Sequence, residues 1–391
     1  MAYRSCRITF LLFVTLLGTT LFFDTTSESH ADGGGVLSFG VSVQGDLDPE
    51  ERDTWLFRGQ ANQIITIVAE QISDTGLDTH LTLLDPTNTP IASSEGGGIG
   101  NDAALFGVTL PIDGLYAVIV SGKETFGNYQ LTLTEMQLPA GCNEFTATML
   151  TETWDSAMTG MRRTYRLYLP PCYDSSLRYP YIILLHGSDT NYALWDQLGM
   201  DEAVTVGSAL GRIPPVVLLL PDGGELANLD TFSASYSYEA LLLKELLPLV
   251  ETQYCLQQSK EGRAIGGISR GGFWAYVIGL RHPDMFVAVG GHSPVFYYSN
   301  AIPNTHNPLT IVPTLEATEE LPRLWIDRGV KDWWAYNIDL MAPLLSAQNI
   351  PAQVTIYPTG THDNAYWRSH LNDYLAFYTA DWSLENYPPC D

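Results

Sequence analysis

A serine held in a tight turn between two glycines can present its hydroxyl as a nucleophile, and Gly267-Ile268-Ser269-Arg270-Gly271 has that form. The motif follows the apolar run Ala264-Ile265-Gly266 and opens a stretch of helical spacing, so it reads as strand, sharp turn, helix. In so tight a turn a side chain at either flanking position would strike the adjoining strand or helix, and glycine avoids the collision. The serine is forced into a strained conformation that lifts its hydroxyl to the sheet edge, beside the positive end of the following helix. The plainer alternative is a glycine-rich turn in a chain that holds 34 glycines.

A serine hydroxyl is too weak an acid to attack unaided, so a histidine must take its proton. Where the nucleophile sits on a strand-to-helix turn, its partners follow in the order serine, acid, histidine. Of the eight histidines, His30 lies in the N-terminal leader, His80 in a strand-rich region, and His186, His282, His292 and His306 precede any usable acid. His370 falls within the expected final helix. His362, in Thr359-Gly360-Thr361-His362-Asp363, lies on a loop after a strand ending at Tyr357, where the base belongs. Asp284, Asp327, Asp332 and Asp339 qualify as the acid by order. Asp284 sits in a turn and Asp339 within a helix, while Asp327 ends the strand over 324–326, where an ion pair with Arg328 or a turn is the simpler reading. Asp332, past that strand on the loop Gly329-Val330-Lys331-Asp332, is preferred. Two backbone N–H donors must also face the tetrahedral oxyanion. The candidates are Arg270, after the nucleophile, and Ser188, in the turn His186-Gly187-Ser188, with His186 packing beneath that turn.

These residues need a scaffold, and the chain changes rhythm to supply one. Residues 36–136 form short Thr-, Val- and Ile-rich strands such as Ile64-Ile65-Thr66-Ile67-Val68, separated by turns such as Asp85-Pro86-Thr87-Asn88. With no helix-period segment between them, they predict a small all-β sandwich. Residues 137–145 read as a linker. From 146 to 391 strands and helices alternate, and Tyr181-Ile182-Ile183-Leu184-Leu185 and Val216-Val217-Leu218-Leu219-Leu220 are apolar throughout, as strands buried on both faces must be. The fold class is α/β, a three-layer domain with helices on both sides of a mostly parallel sheet. The helices are expected over 238–254 and 271–282.

The chain carries 44 acidic and 19 basic residues, a formal charge of −25, which argues against nucleic acid or an anionic membrane as partner. Residues 1–31 read as a signal peptide, with Arg4 and Arg7 before an apolar run and small residues at Ser29-His30-Ala31, so the mature chain is expected outside the cell with no membrane span. Removing that leader takes Cys6 and leaves Cys142, Cys172, Cys255 and Cys390. An even count in an exported chain favours disulfides, and no pair has metal-ligand spacing, so no metal is expected. The expected pairs are Cys172–Cys255, at one edge of the α/β domain, and Cys142–Cys390, tying linker to C-terminus.

Over about 146–378 the chain resembles the putative-esterase family of α/β-hydrolases, which includes feruloyl esterases, S-formylglutathione hydrolases and bacterial mycolyltransferases. The matching motifs are Tyr168-Leu169-Pro170-Pro171-Cys172-Tyr173-Asp174, Leu184-Leu185-His186-Gly187, Leu220-Pro221-Asp222-Gly223-Gly224, the Ser269 turn, Gly290-Gly291-His292-Ser293-Pro294 and Gly360-Thr361-His362-Asp363. The resemblance implies an α/β-hydrolase fold, the triad Ser269–Asp332–His362, and cofactor-free hydrolysis of a small-molecule or polysaccharide-linked carboxylic ester. Asp53-Thr54-Trp55-Leu56-Phe57, Leu83-Leu84-Asp85-Pro86, Gly114-Leu115-Tyr116 and Gly127-Asn128-Tyr129 resemble the jelly-roll-like bacterial pre-peptidase C-terminal domain, an accessory module of secreted hydrolases. The sandwich has no candidate nucleophile or base pair, so the esterase is expected to act without it. An acyltransferase or a serine peptidase on the same triad, and a non-catalytic carbohydrate- or surface-binding protein, are the alternative readings.

Overall fold

A computed structural model describes residues 33–49, 51–72, 76–136, 142, 145–317, 320–383 and 387–390. The leader over 1–31 and most of the linker over 137–145 lie outside the described residues.

The N-terminal strands alternate buried and half-exposed side chains, Thr79–Leu84 being a clear case, so each presents one face to a common core. They form a five-stranded and a four-stranded sheet. Trp55, Phe57, Ile65, Ile67, Leu81, Leu83, Val118 and Leu131 are buried between them. A chain of hydrogen bonds crosses this core: Trp55 Nε1 donates to Tyr129 Oη at 2.7 Å, and Tyr129 donates to Oδ2 of the buried Asp53 at 2.5 Å. The indole N–H and the phenol taken from water thus keep partners, as does one oxygen of the Asp53 carboxylate.

The second unit is built on an eight-stranded sheet. Its order is Thr148–Ser156, Met161–Leu169, Val217–Pro221, Tyr181–Leu185, Arg263–Ile268, Ala288–His292, Arg323–Gly329 and Ala352–Tyr357. The first two strands pair antiparallel and the remaining six run parallel. Tyr181–Leu185, Val217–Pro221 and Arg263–Ile268 are buried at every position, because helices cover both faces. One face packs on Leu242, Phe273, Trp274 and Tyr276, the other on Trp195, Tyr374 and Tyr378. The helix expected over 238–254 contains a π-helical segment at Leu242–Leu246 between the α-helical Tyr238–Leu241 and Leu247–Gln253.

The four cysteines form two disulfides, but not in the expected pairs: Cys142 bonds Cys172 and Cys255 bonds Cys390. The path of the C-terminus explains the correction. The segment 387–390 returns along 176–179, where Arg178 N–H donates to Pro388 O and Cys390 N–H to Ser176 O, each at 2.7 Å. Tyr179 in turn bridges Leu256, which brings Cys255 alongside Cys390 and leaves Cys172 for Cys142.

Candidate active site

Ser269 ends the strand Arg263–Ile268 and begins the helix Arg270–Arg281, with φ 53° and ψ −113°. A non-glycine residue with positive φ is strained, and the surroundings hold it there. A Cβ at Gly267 would stand 2.3 Å from Gly271 C, and one at Gly271 would stand 2.3 Å from Leu185 O. Neither position admits a side chain. The Ser269 N–H donates to His292 O at 3.0 Å, fastening the turn to the neighbouring strand.

His362 Nε2 lies 2.9 Å from Ser269 Oγ, and its Nδ1 lies 3.0 Å from Asp332 Oδ2. An ionised carboxylate only accepts, so Nδ1 carries the ring proton and Nε2 accepts from the serine hydroxyl. The loops bearing the two residues meet through Lys331 N–H donating to Gly360 O at 3.1 Å, and Asp363 caps the next helix by accepting from Tyr366 N–H at 2.9 Å. Asp332 is buried. Burial alone would raise its carboxyl, but the hydrogen bond and charge of His362 and the Trp334 N–H outweigh it and hold the group below its ordinary value.

Asp327 has a different neighbourhood. It lies within the strand Arg323–Gly329, fully buried, and binds His292 Nδ1 at 2.6 Å and Tyr366 Oη at 2.6 Å. His292 Nε2 lies 2.7 Å from Tyr378 Oη. Arg328, weighed as a partner for Asp327, instead makes a two-pronged pair with Asp339.

Ser188 and Arg270 border the same pocket as Ser269. The turn at Gly187 lies against Ser269, since a Cβ there would be 3.6 Å from Ser269 Cβ. His186 sits beneath it, buried, with Nδ1 2.7 Å from Gly187 O and Nε2 accepting from Gly223 N–H at 3.0 Å. Its pKa is lowered by burial, which suits this neutral tautomer. The Arg270 side chain ties down the opposite wall, donating to Ala227 O, Leu229 O, Asp230 and Tyr297 Oη.

The pocket is about 460 Å³, and Tyr297, Trp333, Trp334 and Trp367 give it an aromatic lining. Trp333 is 65% exposed and Trp334 43%, so the rim is apolar and open to solvent. Sequence reasoning passed over all four. Trp333-Trp334, directly after the preferred acid, offered a signal, whereas Tyr297 and Trp367 come from segments distant in sequence and offered none. No described residue of the sandwich lines the pocket. Among the described residues no cluster of histidine, cysteine or carboxylate side chains could hold a metal ion, and no helix is long and apolar enough to cross a membrane.

A nucleophile elbow on a mostly parallel sheet, with helices on both faces, defines an α/β-hydrolase. The chain belongs to the putative-esterase family, whose profile, "Putative esterase", matches residues 156–378. Among curated proteins, an endo-1,4-beta-xylanase/feruloyl esterase of Xylanibacter ruminicola is 30% identical over 148 residues, covering 34% of this chain and 20% of that protein. The chain thus spans about a fifth of the length of that relative. A ferulic acid esterase structure superposes with a TM-score of 0.55 at 25% identity, over 61% of this chain and 100% of that one. An S-formylglutathione hydrolase from Staphylococcus aureus shares the fold, with a TM-score of 0.51 at 18% identity over 60% of this chain and 99% of that one.

Proposed function

We propose that this chain is a secreted serine esterase that cleaves carboxylic esters through an acyl-enzyme on Ser269. The observation that carries the reading is the unbroken line of hydrogen bonds from Asp332 through His362 to the strained Ser269. In this mechanism Ser269 Oγ attacks the ester carbonyl carbon while its proton passes to His362 Nε2. The carbonyl oxygen becomes an oxyanion that accepts from the Ser188 and Arg270 N–H groups. The carbon–oxygen bond to the alcohol then breaks, and His362 returns the proton to the leaving alkoxide. Water, deprotonated by His362, attacks the acyl-enzyme, and the acid leaves with Ser269 restored. Asp332 stays ionised and holds the imidazole in the tautomer this cycle needs. Secretion is supported by the leader over 1–31 and by two disulfides.

The aromatic lining supports a planar aromatic acyl group, such as a feruloyl ester of a small alcohol or a polysaccharide, since flat rings bury well against tryptophan and tyrosine. A panel of chromogenic acetyl, butyryl and feruloyl esters tests both levels. The full chain should turn over esters, and Ser269→Ala should lower kcat by about 10⁴-fold while leaving the fold intact. Trp333→Ala should raise KM for the feruloyl ester several times more than for the acetyl ester. A folded wild-type chain inactive on every ester contradicts the reading.

A further inference from the structure

No described residue of the sandwich lines the pocket, yet one of its loops reaches the walls behind it. Residues 96–101 lie between the strands Pro90–Ser94 and Ala103–Thr109. The loop is anchored within its own domain: Thr79 N–H donates to Asn101 O at 3.0 Å, Asp102 N–H to Ile99 O at 3.2 Å, and the buried Asp102 carboxylate accepts from Gln71 N–H at 2.8 Å. Its tip crosses to the α/β domain. Ile99 packs on the core that holds Leu194, Trp195, Leu198 and Trp367. A Cβ at Gly199 would stand 3.5 Å from Ile99 Cγ2 and 3.6 Å from Gly100 N, and one at Gly100 would stand 3.5 Å from Arg368 Cδ.

The tip therefore sits where two short helices, Leu194–Leu198 and Asn364–Ser369, come together. Arg368 joins them by donating to Leu198 O at 3.3 Å and Gln197 O at 3.1 Å. Each helix leads to one part of the chemistry. In the first, Trp195 Nε1 donates to Leu185 O at 3.1 Å, at the strand end from which the His186-Gly187-Ser188 turn departs. In the second, the Trp367 ring packs edge-on against His362, centroids 5.1 Å apart. The domains are also fastened away from the tip. Glu70 accepts both prongs of the exposed Arg212 guanidinium at 2.7 Å, and Val68 and Ala104 pack on Val206.

We propose that the sandwich loop 96–101 is a positioning element of the Ser269 site, clamping the two helices that orient His362 and the Ser188 turn, so that a substrate-free accessory domain sets the catalytic geometry. The inference rests on the esterase reading and deepens it. Small displacements of a base or an oxyanion donor are costly, a misplacement of about 1 Å reducing rate by up to roughly 100-fold.

The test uses the full chain with Ile99→Asp, which puts a charge into the apolar contact, and Ile99→Leu as the conservative rescue. Ile99→Asp should lower kcat on a small soluble ester by about tenfold with a smaller change in KM, and Ile99→Leu should restore it. Hydrogen exchange should quicken at the amides of 194–198 and 364–369 while the strands of both sheets stay protected. If Ile99→Asp disrupts the sandwich itself, Ile99→Ala, which removes the contact without burying a charge, carries the same comparison. A folded Ile99 variant with wild-type kcat and unchanged exchange in the two helices overturns the proposal. Failure of the esterase reading looks different: the wild-type chain itself would then be inactive.

Discussion

Asp332 and Asp327 are both buried carboxylates paired to a histidine, and their separate partners give them separate consequences. Asp332 faces the imidazole that touches Ser269, so Asp332→Asn should remove the stabilisation of the imidazolium and the preferred tautomer. The expected result is a fall in kcat of about 10³- to 10⁴-fold with little change in melting temperature. Asp327 serves packing: it accepts from Tyr366 and pairs with His292 in a fully enclosed network. Asp327→Asn should cost stability, up to about 3–5 kcal/mol if the buried pair is broken, read by thermal or chemical unfolding. Reversal of the two phenotypes would exchange the roles. Because the Asp332 carboxyl is held below its ordinary value, it remains ionised as the solution is acidified. A loss of kcat/KM on mild acidification should therefore not trace to protonation of Asp332.

At the scale of elements, the strands of the parallel sheet were legible because burial on both faces demands an unbroken apolar run, as Tyr181–Leu185 shows. The elbow was legible for a steric reason: backbone approaches at Gly267 and Gly271 leave no room for any other residue. The disulfides were not, since their pairing depends on where the C-terminal segment lies, and neither hydropathy nor spacing records that path. The same limit hid the aromatic pocket, whose walls are assembled from loops and a helix far apart in sequence. The C-terminal path makes its own prediction. Cys255–Cys390 spans a sequence separation of 135, so Cys390→Ser should destabilise the α/β domain by about 2–5 kcal/mol, measured by denaturant unfolding. Peptide mapping without reduction should recover Cys142 with Cys172 and Cys255 with Cys390. Crossed pairs would contradict the traced path.

Across the whole molecule, a chain of formal charge −25 also buries carboxyls that resist ionisation. Asp102, at the base of the loop that reaches the second domain, is pushed up to about 7 by burial, against the Gln71 amide and with help from the charge of Glu70. Glu202, in the helix Met200–Ala209 beside the Gly199 contact, is pushed up to about 8 by burial and by Asp201. Both values exceed the unfolded reference of about 4, so the folded state binds more protons over that window. The contribution of these groups is fully present below about pH 4 and is lost as pH rises through about 7 to 8. Melting temperature should accordingly decline from mildly acid to alkaline pH. Asp102→Asn should melt above wild type near pH 8.5, the gap narrowing as pH falls and closing near about pH 4. A constant gap between the two proteins would show that Asp102 does not titrate in this way. None of this was legible from composition, because the sequence gives the charge of a carboxyl but not its burial at a contact between domains.

The central claim is that Ser269 is the nucleophile, and covalent labelling tests it most directly. The full-length chain, treated with an organophosphonate and examined by intact mass and peptide mapping, should gain one adduct, located on the peptide that contains Ser269. The Ser269→Ala protein, folded and treated in the same way, should gain none. A wild-type chain that hydrolyses esters yet remains unlabelled, or that carries its adduct on another residue, would contradict the account.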